Sequence, residues 1–330
     1  MSKIEIKGAT GYGLMSLTWR PHPIPYPQAF EAINNAIADG ITFLNAGEFY
    51  GMQPAVNGNL LLLKAYFEKY PENRSKVVVS VKGSVGPNLV PDNGPENLTK
   101  SINHICSYFP GEYIDIFEPA RMDGKTPVED VIKTIIPFIE AGKVGGISLS
   151  EVNAQTIERA AKVYPISCVE VEFSLWETAI LTNGVADVCK KYDIPIAAYS
   201  PLGRGFLTGQ IKSTADVPEG DIRHHFDKFT NAEHLAHNFK LVEYLTEFAK
   251  TKGCTPAQLA LSWIRKYSEH DGNLPRIIPI PSSSTKERNH ENNTDIELTE
   301  KEFEEVNKEV TKFETKGYRY NAMTEKFLNG

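Results

Sequence analysis

Eight short, nearly continuous apolar runs recur through this 330-residue chain, and stretches with helical periodicity separate them. They span residues 11–14, 41–45, 77–82, 113–119, 145–150, 168–173, 195–199 and 276–281. A strand wetted on one side alternates polar with apolar residues, whereas a run apolar on both sides suits a parallel strand covered by helices. The helical stretches are 28–39, 59–70, 95–109, 128–141, 153–163, 178–192 and 255–267. In the first, Phe30, Ile33 and Ile37 share one face, and Gly40 stands where a helix can end. Asn153 and Thr255 occupy N-cap positions, with Pro256 at the first helical residue after Thr255. Eight alternations of strand and helix predict an α/β fold, a (β/α)8 TIM barrel formed as a single domain over residues 1–330. A doubly wound open sheet is the alternative.

Two segments fall outside the alternation. Residues 202–250 form a long loop after the seventh strand, ending in a helix over 238–250. The tail after Asn292 carries another helix over 300–313 and then Gly317, Tyr318, Arg319, Tyr320 and Asn321. Additions at this end of a barrel shape the active site, so both are expected to lie over the barrel mouth.

A net charge of −7 argues against a nucleic-acid partner, which asks for a basic face. No apolar run is long enough for a membrane span, and the first residues lack the apolar core of a secretory signal. Cys106, Cys168, Cys189 and Cys254 are widely spaced, as expected of free thiols in a reducing, cytoplasmic setting. His224, His225, His234 and His237 cluster in the long loop, but with no partner of fixed spacing they are read as solvated side chains, and no metal is expected.

Barrels keep their reactive groups at the strand ends, which here are Asn45, Lys82, Ala120, Ser150, Tyr199 and Ser282. A lysine facing inward at such a place is costly without a partner. It can instead snorkel out of the mouth, or serve as a Schiff-base nucleophile. Parity adds a constraint: if Ala120 faces the pocket, Glu118 two residues earlier also faces inward. Glu118 is therefore expected to be the counter-charge of Lys82 on the adjacent strand, the alternative being a carboxylate satisfied by backbone or water.

The stretch Phe43-Leu-Asn45-Ala-Gly-Glu-Phe49-Tyr50-Gly51 resembles the signature of the aldo-keto reductases at the end of strand two, and Lys82 falls at the place of the family's lysine. The resemblance continues through residues 113–123, 143–153, 169–175, 198–209 and 278–292. It implies hydride transfer from a nicotinamide cofactor to an aldehyde, with Tyr50 as proton donor and Lys82 lowering its pKa. Two residues depart from the pattern: Asn45 stands for the family's aspartate and Ala120 for its histidine. The branch of the family that reduces pyridoxal carries the same two substitutions, and pyridoxal bears a phenolic hydroxyl next to its aldehyde. A broad aldehyde reductase is the second reading, and a cofactor-binding regulatory module like potassium-channel β subunits the third.

The resemblance also implies a cofactor site. Ser150, Glu151 and Glu170 would hold the nicotinamide carboxamide, and Tyr199 would stack on its ring. Ser200, Leu202, Gly203 and Arg204 would wrap the pyrophosphate, and Ser282, Ser283, Arg288, Glu291 and Asn292 would bind the adenosine end. Arg288 falls at the contact to the 2′-phosphate and favours NADP(H). Trp19, Phe49, Ala120, Arg121 and Met122 are the expected substrate contacts.

Overall fold

The computed structural model describes residues 3–269, 272–320 and Leu328. The eight apolar runs form eight parallel strands, paired in chain order. They are β1 (Tyr12–Gly13), β2 (Phe43–Gly47), β3 (Val78–Gly83), β4 (Ile114–Pro119), β5 (Val144–Ser150), β6 (Ile166–Glu172), β7 (Ile196–Tyr199) and β8 (Ile277–Pro279). Gly11 N donates to Pro279 O at 2.9 Å and Gly13 N to Pro281 O at 3.1 Å, which joins the last strand to the first. Glycine is needed at this seam, because a Cβ on Gly13 would lie 2.8 Å from the Ile280 carbonyl oxygen. The sheet thus curls shut, and the open-sheet alternative falls away.

Inside the barrel, polarity changes along the strands. Phe43, Ile116, Cys168, Ala197 and Ile278 form an apolar plug with Ile6 of the N-terminal segment. One or two inward positions further along, the buried residues become Asn45, Ser80, Lys82, Glu118, Ser148, Ser150 and Glu170. Apolar packing seals one end, so the polar layer faces the strand C-termini, where barrels keep their chemistry.

Helices cover the outer face and bury the other side of each strand. Asn153 caps the helix Ala154–Val163 by accepting from Thr156 N. Thr255 Oγ1 accepts from Gln258 N at 3.2 Å. The helix Glu300–Lys312 begins with a capping box between Thr299 and Glu302. Two expectations need correction. The stretch 178–192 is not one helix but a 3₁₀ turn, Ala179–Leu181, and a helix, Val185–Lys191. Gly184 between them has φ of 83°, the left-handed region that interrupts a helix. The helix placed at 238–250 begins earlier and runs Ala232–Lys252, because Asn231 accepts from the amides of Glu233 and His234.

The tail stays on the protein as far as Tyr320, and Asn321 lies outside the described residues. Among the described residues no helix is long and apolar enough to cross a membrane. Three of the loop histidines meet named partners: His224 meets Pro218 O, His234 meets Asp227, and His237 meets Glu314 O in the tail, each at 2.9 Å.

Candidate active site

Tyr50 lies just past β2, and its backbone is held firmly. Thr18 Oγ1 donates to its carbonyl at 2.6 Å, and Asn59 N donates to the same oxygen at 3.1 Å. The ring packs over Gly47, where a Cβ would come within 2.7 Å of it. Trp19 and Phe49 flank the ring at centroid distances of 5.5 and 5.2 Å. The Lys82 ammonium sits 5.6 Å from the Tyr50 ring centroid.

Lys82 at the end of β3 is 3% exposed, so it does not snorkel. Its Nζ donates to Asn45 Oδ1 at 2.7 Å and to Glu170 Oε2 at 2.5 Å. Asn45 Nδ2 donates to the same Glu170 oxygen at 2.6 Å. Glu118 is directly opposite Lys82 in the β3–β4 register, and its Oε1 lies 3.6 Å from Nζ. One ammonium therefore faces two buried carboxyl groups. Burial pulls the Lys82 ammonium down, but Glu118 and Glu170 hold it well above the usual lysine range. Burial, and next the charge of Glu170, push the Glu118 carboxyl up to about 8, with Lys82 opposing.

The Tyr50 phenol behaves differently from the expectation that a neighbouring ammonium would lower it. Burial pushes it well above its ordinary value; Lys82 pulls it down, and Glu170 and Glu118 push it back up. Burial is the largest of these influences and outweighs the ammonium's pull on the phenol.

A cavity of about 960 Å³ opens above this cluster. Asn45, Tyr50, Lys82, Ala120, Arg121 and Glu170 line its floor, and Trp19 and Phe49 one wall. The same cavity runs past Tyr199, Ser200, Leu202 and Arg204 to Ser282, Ser283, Arg288, Glu291 and Asn292. Arg288 is exposed there, its Nη2 donating to Gln210 at 3.4 Å. Ser282 meets Ser16 at 2.5 Å, and Glu291 accepts from Thr255 at 2.6 Å. Its volume is at the upper end of small-molecule sites, roughly 300–1,000 Å³, so it holds more than an aldehyde alone.

Five expected site residues stand behind the cavity wall. Glu118 is fully buried under Lys82, and Met122 packs into the core. Gly203 packs on Trp176. Ser150 accepts from Arg121 Nη1 at 2.6 Å. Glu151 forms a two-pronged pair with Arg319, at 2.6 and 3.2 Å, and accepts from Glu172 N at 2.9 Å. Burial pushes the Glu151 carboxyl up, but Arg319 and Arg121 outweigh it and leave it below the usual range.

Sequence reasoning missed Arg319 and Tyr320 as site residues. Besides Glu151, Arg319 meets Glu172 at 3.1 Å and the Tyr199 hydroxyl at 3.1 Å. The Tyr320 hydroxyl lies 2.8 Å from that of Tyr199 and accepts from Arg121 at 3.2 Å. The Arg204 guanidinium is stacked between Phe226 and Tyr320, 4.0 and 4.7 Å from the ring centroids. The available signal was a surplus of acids at strand ends, Glu151, Glu170 and Glu172, which called for more cations than the strands supply. Glu151, Ser200 and Arg204 have φ of 52°, 49° and 55°, so left-handed backbone recurs around this mouth.

Comparison with known proteins agrees with this architecture. A Saccharomyces cerevisiae protein provisionally named a pyridoxal reductase is 42% identical, covering 94% of this chain and 95% of its own. A Schizosaccharomyces pombe protein, provisionally named pyridoxal reductase 2, is 37% identical over 98% of this chain and 97% of its own. Among solved structures, a glycerol dehydrogenase from Gluconobacter oxydans matches with a TM-score of 0.77 at 17% identity, over 94% of each chain. An aldo/keto reductase from Klebsiella pneumoniae, in complex with NADP and acetate, matches with a TM-score of 0.67 at 17% identity, over 95% of this chain and 94% of its own. The family's sequence profile spans residues 9–310, and this chain belongs to the aldo/keto reductase family.

Proposed function

We propose that this chain is an NADPH-dependent reductase that converts pyridoxal to pyridoxine, a reaction that reverses as pyridoxine 4-dehydrogenation. The observation that carries the reading is Tyr50 beside a buried Lys82, on the floor of a cavity with aromatic walls. The names of the two yeast relatives point to the same substrate. The nicotinamide, when bound, supplies the hydride. Tyr50 donates a proton to the carbonyl oxygen as negative charge develops there, and Lys82 stabilises the tyrosinate left behind. Trp19 and Phe49 hold the flat pyridine ring, with Met122 supporting the floor from the core. Ala120 offers no donor to the carbonyl, which favours an aldehyde whose own adjacent hydroxyl can donate. Arg121 meets that hydroxyl or a phosphate.

The cofactor reading rests on one cavity reaching from Tyr50 to Arg288. Tyr199 would stack on the nicotinamide, and Glu170, Ser150 and Glu151 would hold its carboxamide. Ser200, Leu202, Gly203 and Arg204 follow the pyrophosphate. Ser282, Ser283, Glu291 and Asn292 take the adenosine, with Arg288 on the 2′-phosphate. In this reading the whole chain is one cytoplasmic catalytic domain, and the loop 202–250 and the tail up to Tyr320 cover its mouth.

The test is NADPH oxidation with pyridoxal, 4-nitrobenzaldehyde or a simple sugar, followed by absorbance. Pyridoxal is expected to turn over fastest. Turnover of nitrobenzaldehyde alone would leave a broad reductase, and no oxidation with any of them would leave a binding module. Arg288→Ala is expected to weaken NADPH by about tenfold or more, the loss of a charge-assisted bond, and to spare NADH. Equal losses in a fluorescence titration would remove Arg288 from the phosphate.

A further inference from the structure

We propose that Glu170 of β6 is the positioning residue for Lys82, supplying across the barrel interior the negative charge that Asn45 of β2 cannot. This rests on the reading of Tyr50 and Lys82 as the reacting pair. The geometry is a closed triangle: Nζ of Lys82 donates to Asn45 Oδ1 at 2.7 Å and to Glu170 Oε2 at 2.5 Å, and Asn45 Nδ2 donates to that same oxygen at 2.6 Å. Asn45 uses both ends of its amide, one toward the cation and one toward the anion. It carries no charge, so it orients Lys82 without neutralising it. Glu118 is the more distant partner, at 3.6 Å from Nζ, with its Oε1 making no hydrogen bond among the described residues and its Oε2 3.5 Å from Ser80 Oγ.

The triangle makes residues 45 and 170 interdependent. Aspartate at 45 beside Glu170 would set two carboxylates against each other where a 2.6 Å hydrogen bond now stands, and like charges at such range exclude one another. Glutamine at 170 beside Asn45 would leave Lys82 with Glu118 alone. An Asp–Gln pair would restore one charge within reach of Nζ. Either single change is therefore harmful, and the two together are not.

The experiment compares Glu170→Gln, Asn45→Asp and the double variant with the unaltered protein, by turnover across pH and by thermal melting. The groups facing Lys82 are Tyr50 and Asn45 from β2 and its loop, Glu118 from β4, and Glu170 and Cys168 from β6, with Arg121 acting on Tyr50 and Glu118. Glu170→Gln is expected to lower turnover at least about tenfold, at the lower edge of what a disturbed proton donor costs. Removing a negative charge lowers the pKa of both the phenol and the ammonium. The alkaline limb of the pH profile should therefore move about one unit or more toward acid.

Asn45→Asp should lose turnover as well. The double variant should recover most of the loss and return the limb to its original place. Melting temperatures of the free protein should follow the same pattern, with the double variant above either single one, and this arm needs no activity. Losses that add in the double variant, or a pH limb unmoved in Glu170→Gln, would overturn the assignment of Glu170. An unaltered protein that reduces no aldehyde would overturn the functional reading instead, with the melting cycle still deciding the triangle.

Discussion

The Tyr50→Phe protein is expected to bind NADPH like the unaltered protein and to reduce pyridoxal on the order of 10²–10⁴-fold more slowly, the range for losing a general acid. The fold gives this substitution a clean meaning. Thr18 and Asn59 hold the backbone of residue 50 through its carbonyl oxygen, and Gly47, Trp19 and Phe49 hold its ring. None of these contacts uses the hydroxyl, so phenylalanine can take the same place. The loss should therefore fall on turnover and leave the titration with NADPH nearly unchanged. A variant keeping more than about a tenth of the turnover would show that the proton comes from elsewhere. Lysine 82 as a Schiff-base nucleophile is the other chemistry open to such a site, and a borohydride-trapped adduct on Lys82 would identify it.

Glu118→Gln is expected to make the protein more stable, by an amount that grows with pH. The sign follows from linkage. The Glu118 carboxyl has an ordinary value of 4.5 and is pushed up to about 8 in the folded protein, chiefly by burial. Between these values the unfolded chain is ionised at this position and the folded chain still holds its proton. Folding then takes up a proton, and stability falls by about 1.4 kcal/mol for each pH unit across the window. Stability from this group is complete below the unfolded value and is lost as pH rises through the folded one. Glutamine cannot titrate and lacks that slope. The difference in melting temperature between variant and parent should widen by several degrees from about pH 5 to about pH 8. A difference that stays constant across that range, or glutamine less stable throughout, would mean that Glu118 is ionised beside Lys82 after all.

Much of this architecture was legible in the residues. All eight strands fall within a few positions of the apolar runs, because a strand buried on both faces leaves a contiguous mark in the sequence. Parity alone put Glu118 inward, directly opposite Lys82 as the strand register has it. The involvement of Glu170 with Lys82 was not legible. It depends on which side chains meet through the middle of the barrel, from β3 to β6, and local periodicity is silent about that. The docking of Arg319 and Tyr320 was hidden for a similar reason, since a tail beyond the last helix has no repeating pattern to read. The break at Gly184 had its signal in Thr182-Asn183-Gly184, but helical spacing on both sides masked it. The phenol of Tyr50 went the other way from expectation because burial outweighs the neighbouring ammonium, a balance that only the assembled core sets.

The seam between β8 and β1 bears on how the protein is made. Gly11 and Gly13 find their carbonyl partners only at Pro279 and Pro281. While the ribosome is still adding the intervening chain, at roughly 5–20 residues per second, the nascent sheet keeps two open edges for on the order of tens of seconds. Its first strand is only two residues long and glycine-bearing, a poor template for stray pairing with another chain. The edge that waits longest for its partner is therefore the shortest strand of the sheet, the one that offers the fewest backbone groups to a wrong partner.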